Sequence, residues 1–425
     1  MSGVDQNIDL YRIPSKIVYF LAVVLVTLGI TLSSSDVFLI LSLGGNIKPG
    51  QFLLFIPIAL FALSVFVRDE ILLPNTFLIF VFVFLYDFVF AFFSPYILKS
   101  VVYSGWFFFD LMLVFFFVNL SDVNKAKLHR IISDSYVLIA AFGLAQFILG
   151  ILGIDILVAQ WWLGVVPRIN GLSYEPSYFS TFLLLGWGYY FWLNITNTPS
   201  VGFFGQKWSL FVITLAIVLS SSRMSIGIML SFSLLTMFLS FFNKKITIPK
   251  YYWIGFFLII VFVIYLVVSY PVLLAGLGIA EGSAHSADDR IFQQNGMIIV
   301  FLDNMWSGVG YGALSAYFAM NMGLSPAELS FESLKNFEGG NVLVQIYAAW
   351  GLLFGSLFLL SLFYHLLTAS ANQYARAVSI GLVLCFTALL LNQNVFRVYF
   401  WIALSLLMCL QGNCLKKIRL RRVRR

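Results

Sequence analysis

Charged residues are scarce in this chain of 425 residues, since Asp, Glu, Lys and Arg make up only 10% of it. Ordinary soluble domains are roughly 25% charged, so the shortage excludes a soluble enzyme. Hydrophobic residues account for 61% of the chain and aromatic residues for 18%. This composition is typical of a protein that lies in a membrane.

Cysteines and nucleotide-binding motifs are also scarce or missing. Cys385, Cys409 and Cys414 fall in or beside the last two apolar stretches without metal-ligand spacing. They indicate neither a disulfide framework nor a zinc site. The sequence lacks a Walker motif, a Rossmann fingerprint, a zincin motif, a GxSxG elbow and an Asp-x-Asp pair. We therefore expect no cofactor, no metal ion and no soluble nucleotide donor.

Long apolar runs predict membrane-spanning helices, because a helix needs about 20 apolar residues to cross a bilayer core. The runs lack the alternation of an outer-membrane barrel. We predict an all-α integral membrane protein, with residues 1–425 forming a single polytopic domain. About twelve spans are predicted, near 17–34, 51–67, 75–93, 100–118, 131–150, 177–194, 208–221, 224–242, 251–270, 341–364, 376–393 and 398–412.

The distribution of basic residues predicts the orientation, because cytoplasmic loops hold an excess of Lys and Arg. With the N-terminus inside, 18 of the 25 basic residues fall on the cytoplasmic side. They include a basic cytoplasmic tail, 413–425, which we expect to meet anionic lipid headgroups and not nucleic acid. Both termini are therefore predicted to lie in the cytoplasm.

Two long loops are predicted on the opposite, extracytoplasmic side, at 151–176 and 271–340. A long loop in an otherwise tight protein is usually functional or disordered. The larger loop contains an apolar run, 297–302, that is too short to span a membrane and is followed by three glycines at 308–312. This pattern predicts short amphipathic helices and a tight turn.

Seven basic residues fall at or beyond the extracytoplasmic surface. They are Lys48, Lys99, Arg168, Arg223, Arg290, Lys335 and Arg397. Any one arginine there is well explained as a side chain that snorkels to the interface. Guanidinium groups also bind phosphate oxygens through two hydrogen bonds and keep their charge. The four arginines together therefore predict a site for a membrane-anchored pyrophosphate.

The densest polar segment runs from Arg168 to Pro176. Glu175-Pro176 predicts a helix start, since proline is tolerated in the first turn and a carboxylate favours the positive end of the helix dipole. The alternative is an anion site in which Glu175 acts as a base. His285, the only extracytoplasmic histidine, is the other catalytic candidate. Asn170, Tyr174 and Asn341 are predicted to contact the substrate.

Asp87 and Asp110 lie inside predicted spans, where a carboxylate is expensive and needs an explanation. Either they form a proton relay in a transporter or they partner an arginine structurally. We favour the structural interpretation.

Three segments resemble a known group of membrane enzymes. The string Arg168-x-x-Gly-x-x-x-Glu175-Pro-Ser-x-Phe179 resembles the signature of bacterial O-antigen and capsule repeat-unit polymerases, the Wzy proteins, and of the related O-antigen ligase superfamily. Arg290 with the later Gly-Val-Gly-Tyr-Gly resembles the large outer loop of that superfamily. The segment from Gly340-Asn341 onward resembles the point where the chain re-enters the membrane. The resemblance covers about residues 160–412.

The resemblance implies a GT-C-like, metal-independent glycosyltransferase in the bacterial inner membrane. Its substrates would be oligosaccharides linked to undecaprenyl pyrophosphate, with the growing chain transferred to a new lipid-linked unit. It also implies a chain-length regulator and a flippase as partners.

Two alternatives to a polymerase stay open. One is an O-antigen ligase, although ligases of this superfamily have a His-Asn pair where this chain has Gly340-Asn341. The other is a flippase for lipid-linked oligosaccharides, which Asp87 and Asp110 favour and the long one-sided loops oppose.

Overall fold

The computed structural model describes residues 16–36, 41–42, 46–65, 70–162, 166–242, 285–331, 333–334, 337–369, 372–392, 395–412 and 415–419. Its α-helices are α1 (Lys16–Thr31), α2 (Pro49–Val65), α3 (Phe77–Ala91), α4 (Ile97–Val118), α5 (Asp122–Ile151), α6 (Pro176–Ile195), α7 (Gln206–Leu219), α8 (Arg223–Phe242), α9 (His285–Asp303), α10 (Leu314–Asn321), α11 (Val342–Thr368), α12 (Gln373–Asn392) and α13 (Val398–Leu410). Its strands are β1 (Leu41–Ser42), β2 (Asn46–Ile47), β3 (Glu70–Pro74), β4 (Gln160–Trp162), β5 (Val166–Arg168) and β6 (Leu415–Arg419). They form antiparallel ribbons that pair β1 with β2, β3 with β6 and β4 with β5.

The predicted spans coincide with helices wherever the chain is described. Eleven of them overlap α1 to α8 and α11 to α13, and the remaining one, 251–270, lies outside the described residues. In the described part, five helices are long and apolar enough to cross a membrane, namely α4, α5, α8, α11 and α12. Five shorter apolar helices accompany them. The architecture is typical of an α-helical membrane protein, and the count of twelve spans stays a prediction.

Helix α6 lies at the centre of the core, and nearly all of its residues are buried. Its closest packing is against α12. A Cβ on Gly381 would lie 2.4 Å from the Leu185 carbonyl oxygen, and one on Gly188 would lie 2.8 Å from the Gly381 Cα. Small residues at a crossing let two helix backbones approach closely. This packing fixes the first turn of α6, where candidate site residues lie.

Contacts between helix ends fall into two groups. At one end, Asp36 bonds Arg397, and Arg168 bonds the Ser221 carbonyl. We call this the Arg397 end; it comprises 33–36, 41–42, 46–49, 92–96, 152–162, 166–176, 220–222, 304–331, 333–334, 337–341 and 395–397. At the other end, which we call the His365 end, the His365 ring bonds Thr76 and Gln411. It comprises 70–76, 119–124, 196–205, 366–369, 372–373, 411–412 and 415–419.

Segments that were predicted to lie on the same side of the membrane thus contact each other. At the His365 end, β3 pairs with β6, and Lys417 bonds Glu70. The described part of the basic tail therefore packs as a strand against the protein itself. The prediction for this tail mentioned only lipid headgroups and missed this pairing, because its partner lies far away in the sequence.

The glycine turn of the large loop packs into a break in α11. Gly351 has a φ of +64° and interrupts the helix. The backbone amides of Val309 and Gly310 donate to the carbonyls of Ala348 and Ala349, at 3.1 and 2.8 Å. Because polar backbone groups cannot be left unbonded in a membrane, the turn completes α11. The predicted tight turn is confirmed, since Gly308 and Gly310 have positive φ.

Asp87 of α3 holds this turn in place through hydrogen bonds. Its buried carboxylate accepts hydrogen bonds from the Ser104 hydroxyl at 2.7 Å, the Tyr311 amide at 2.7 Å and the Trp350 indole at 2.8 Å. These contacts fit the structural interpretation, with neutral donors and not an arginine as partners. Asp110 is also buried, and neither of its oxygens has a hydrogen-bond partner among the described residues.

Candidate functional site

The segment from Arg168 to Pro176 is held against α5 by Gln146. The buried Gln146 amide donates to the Gly171 carbonyl at 2.9 Å and accepts from the Gly171 amide at 2.9 Å. Gly171 has a φ of +57°, and a Cβ there would lie 2.5 Å from the Phe179 ring. A side chain at this position is therefore excluded both by strain and by space.

Asn170 and Tyr174, both predicted to contact substrate, lie in different surroundings. Asn170 is fully buried; its amide donates to the Ser173 carbonyl at 2.6 Å and accepts from the Ala159 amide at 3.2 Å. Its placement does not support the predicted binding role, because both ends of the amide are used within the loop. Tyr174 is 65% exposed at the Arg397 end, where a ligand can reach it.

The helix start predicted at Glu175-Pro176 is confirmed. Helix α6 begins at Pro176, and a proline there leaves one fewer unbonded N–H in the first turn. The Glu175 side chain does not cap the helix, and it accepts from the Ser177 hydroxyl at 2.9 Å. The carboxylate thus lies at the positive end of the α6 dipole.

Arg168 ends β5 and connects two loops. Its guanidinium donates to the Gln160 side chain at 2.7 Å and to the Ser221 carbonyl at 3.3 Å. Its Nε is buried and has no hydrogen-bond partner in the described part of the chain. Burial lowers the pKa of Arg168, the charge of Arg223 lowers it further, and Glu175 opposes both effects. Three predicted site residues therefore share one electrostatic environment.

Arg397 is buried just before α13. Its guanidinium donates to both oxygens of Asp36, at 3.0 and 3.2 Å, and Lys48 bonds the same carboxylate. The Arg397 Cζ lies 4.1 Å from the centre of the Tyr178 ring, which is a cation–π contact. Among the described residues, nothing bonds the buried Nε of Arg397.

Burial and neighbouring charges have opposite effects on the pKa values of Asp36 and Arg397. Burial would raise the pKa of Asp36, but Lys48 and Arg397 bring it below its usual value. Burial would lower the pKa of Arg397, but the Asp36 charge raises it. The pKa of Lys48 is lowered by burial and then by Arg397. The Asp36 carboxylate therefore pairs with both Lys48 and Arg397.

The residues around Arg168 and those around Arg397 meet at Tyr178. The Tyr178 hydroxyl is affected by the charges of Arg397, Glu175 and Asp36. We call them together the cationic cluster; its members are Arg168, Arg223, Arg397, Lys48, Asp36 and Glu175. Four cations face two carboxylates, so two positive charges are in excess. Besides the two unbonded Nε atoms, the buried hydroxyls of Ser34 and Ser35 have no hydrogen-bond partner in the described ranges.

A second charged pair lies at the same end; the sequence analysis counted its cation, Lys99, but did not predict its partner, Glu338. Lys99 of α4 is almost fully buried, with 2% of its side chain exposed, and it bonds the Glu338 carboxylate. It also donates to the Ser315 hydroxyl at 2.6 Å. The Tyr103 hydroxyl bonds Glu338 as well. A lysine inside an apolar run was the available signal, but its partner lies 239 positions further along the chain.

The remaining predicted site residues belong to α9 and α11. His285 begins α9, and Arg290 lies one turn before Gln293, whose backbone passes beside Gly340. The backbone at Arg290 therefore lies close to the loop that carries Glu338. Asn341 caps α11 by accepting from the Leu343 amide at 2.9 Å. The catalytic role of His285 and the anion-binding role of Arg290 stay predictions.

Within the described ranges, no three His, Cys, Asp or Glu side chains are grouped so as to hold a metal ion. No protein-family model and no curated protein matches the chain. The functional argument therefore rests on the cationic cluster and on the Lys99–Glu338 pair.

Proposed function

We propose that the protein is a polymerase of undecaprenyl-pyrophosphate-linked oligosaccharide repeat units, as used for O-antigen or capsular polysaccharide. The observation that carries the proposal is the excess of two positive charges in the cationic cluster. A pyrophosphate that joins a lipid to a sugar carries two negative charges, so it would neutralise the cluster. Guanidinium groups suit this ligand because they bind phosphate oxygens through paired hydrogen bonds.

The chemistry that fits this site is a direct glycosyl transfer. A hydroxyl of the new unit attacks the anomeric carbon of the growing chain, and the bond from that carbon to the pyrophosphate oxygen breaks. The electron pair leaves with undecaprenyl pyrophosphate. Fixed positive charge at the leaving group stabilises the transition state, here supplied by Arg168, Arg223 and Arg397.

The proposal includes a topology in the bacterial inner membrane. Twelve spans in a GT-C-like arrangement would leave both termini in the cytoplasm and the Arg397 end facing outward. Lipid-linked units delivered by a flippase would reach the cationic cluster there, and a chain-length regulator would act on the same face. The excess of basic residues on the other side supports this orientation.

A transporter is less favoured by the contacts. Asp87 was one of two intramembrane carboxylates that favoured it, and three donors already occupy that carboxylate. The cationic cluster and the Lys99–Glu338 pair instead lie at the Arg397 end of the helices. A ligase would use the same leaving group, so only the acceptor distinguishes it from a polymerase.

The test is elongation by purified protein in detergent or liposomes, with lipid-linked repeat units as substrate and product length as readout. We expect Arg168→Ala and Arg290→Ala to abolish elongation while the protein remains folded. Arg168→Lys should recover little, since an ammonium lacks the paired donors. Arg130→Ala is the matched control, because Arg130 pairs with Asp134 at the opposite end and should be dispensable.

The outcomes separate the alternatives. Transport of the lipid-linked unit across vesicles without any lengthening would replace the polymerase by a flippase. In cells, loss of a polymerase leaves single-repeat glycans, whereas loss of a ligase leaves long polymer on its lipid carrier. Full elongation by Arg168→Ala would remove that residue from the site.

A further inference from the structure

The Lys99–Glu338 pair combines a buried cation with an accessible anion. Only 2% of the Lys99 side chain is exposed, compared with 38% of the Glu338 side chain. A buried ammonium is expensive, and an apolar side chain of similar size is often at least as stabilising. The pair is thus poorly explained by stability alone, and what it achieves is to fix an accessible carboxylate.

Glu338 is held at several points. Lys99 bonds one oxygen, the Tyr103 hydroxyl bonds the carboxylate, and Lys99 is itself held by the Ser315 hydroxyl. The backbone beside it is fixed too, because the Gln345 amide donates to the Gly339 carbonyl at 2.6 Å. A carboxylate fixed in this way loses little freedom when it meets a reactant.

Glu338 is not a member of the cationic cluster but lies next to it. The charges of Glu338 and Arg397 both act on the Tyr103 and Tyr311 hydroxyls. Phe396, the residue before Arg397, packs on the Tyr311 ring with centroids 4.5 Å apart. Glu338 and Arg397 therefore lie near the same two tyrosines, and the proposal requires the sugar to reach from the pyrophosphate to Glu338.

Glu175, the carboxylate predicted as a base, is placed differently. It lies in the field of Arg168 within the cluster that would hold the pyrophosphate. A base there would be next to the leaving group and on the wrong side for an acceptor hydroxyl. Glu338 is separated from the leaving group by the tyrosines, as a base requires.

We propose that Glu338 is the general base of the transfer reaction and that Lys99 and Tyr103 are its positioning residues. This inference rests on the proposed function. As the acceptor oxygen bonds to the anomeric carbon, its proton moves to a Glu338 oxygen. The electron pair of the broken carbon–oxygen bond leaves with the lipid pyrophosphate, so charge and atoms balance.

The test compares Glu338→Gln with wild-type protein in the elongation assay. General-base catalysis contributes about 100- to 10,000-fold, so we expect kcat to fall by at least about 100-fold. KM for the lipid-linked unit should change only a few-fold. Glu328→Gln is the matched control: Glu328 is an exposed carboxylate of the same loop whose hydrogen bonds among the described residues are to Ser325, and its loss should leave elongation unchanged.

Chemical rescue distinguishes a base from a structural residue. Added formate should restore part of the activity of Glu338→Ala, because a small carboxylate can take the proton. A residue that only supports the fold would not be rescued in this way.

The double variant Lys99→Gln/Glu338→Gln is the control for loss of folding, because it leaves no unpaired ammonium in the core. We expect this double variant to unfold at a temperature near that of wild type and still to be inactive. Elongation by Glu338→Gln or by the double variant at more than about a tenth of the wild-type rate would overturn the role of Glu338. If wild-type protein elongates nothing, the proposed function fails instead, so the two failures are distinguishable.

Discussion

Replacing Asp36 by Ala tests whether the buried charges at the Arg397 end are balanced as described. Asp36 and Arg397 each have only 10% of the side chain exposed, and Lys48 depends on the same carboxylate. The variant would leave the buried Arg397 and the partly buried Lys48 without this anion. Removing one partner of a buried ion pair costs about 3 to 5 kcal/mol, a large part of the roughly 5 to 15 kcal/mol that stabilises most proteins.

The measurement is unfolding of purified protein in detergent, by heat or by SDS titration. Arg397→Met and the double variant Asp36→Ala/Arg397→Met complete a cycle, and the double variant should lose at least about 1 kcal/mol less than the sum of the single losses. Asp122→Ala is the control, because the Asp122–Lys125 pair is fully exposed at Asp122 and should contribute little. Unchanged unfolding of Asp36→Ala, or strictly additive losses in the cycle, would refute this account of the charges.

Two further predictions concern the fold. Gly351→Ala should prevent stable folding, because a Cβ would lie 2.1 Å from the Trp306 carbonyl oxygen at a φ of +64°, whereas Gly105→Ala meets nothing within 4 Å. Similar unfolding temperatures for these two variants would contradict the tight insertion of the turn. Lys48 and Arg397 hold the folded-state pKa of Asp36 below its usual value, so its contribution is present above that usual value and is lost as the pH falls through the folded-state pKa. Wild-type protein should therefore lose stability more steeply than Asp36→Asn in acid, and parallel curves would show that Asp36 is not stabilised as an anion.

The helices could be predicted from the sequence because apolar length is a local property. Each predicted span in the described part overlaps a helix, and the start of α6 at Glu175-Pro176 follows from the demands of a first helical turn. The glycines at 308–312 were also a reliable local signal for a turn. The break at Gly351 could not be predicted in this way, since glycine occurs in many unbroken membrane helices.

The ion pairs could not be predicted from local sequence patterns. Asp36 and Arg397 are 361 positions apart, and Lys99 and Glu338 are 239 apart. Counting basic residues identified the cations but not the carboxylates that face them. It also could not separate Asn170, which is buried within its loop, from Tyr174, which is exposed beside it. Partners across a fold become visible only when the helices are placed.

The two charged centres are held at a fixed spacing by one continuous set of contacts. Asp87 bonds the Tyr311 amide, and the Tyr311 hydroxyl donates to Gln345 at 2.5 Å. Gln345 in turn holds the backbone next to Glu338, while the Tyr311 ring packs on the residue before Arg397. A displacement of about 1 Å between reacting groups can cost roughly 100-fold in rate. Under the proposed mechanism, the buried Asp87 would serve the reaction by keeping the proposed pyrophosphate site and Glu338 in register.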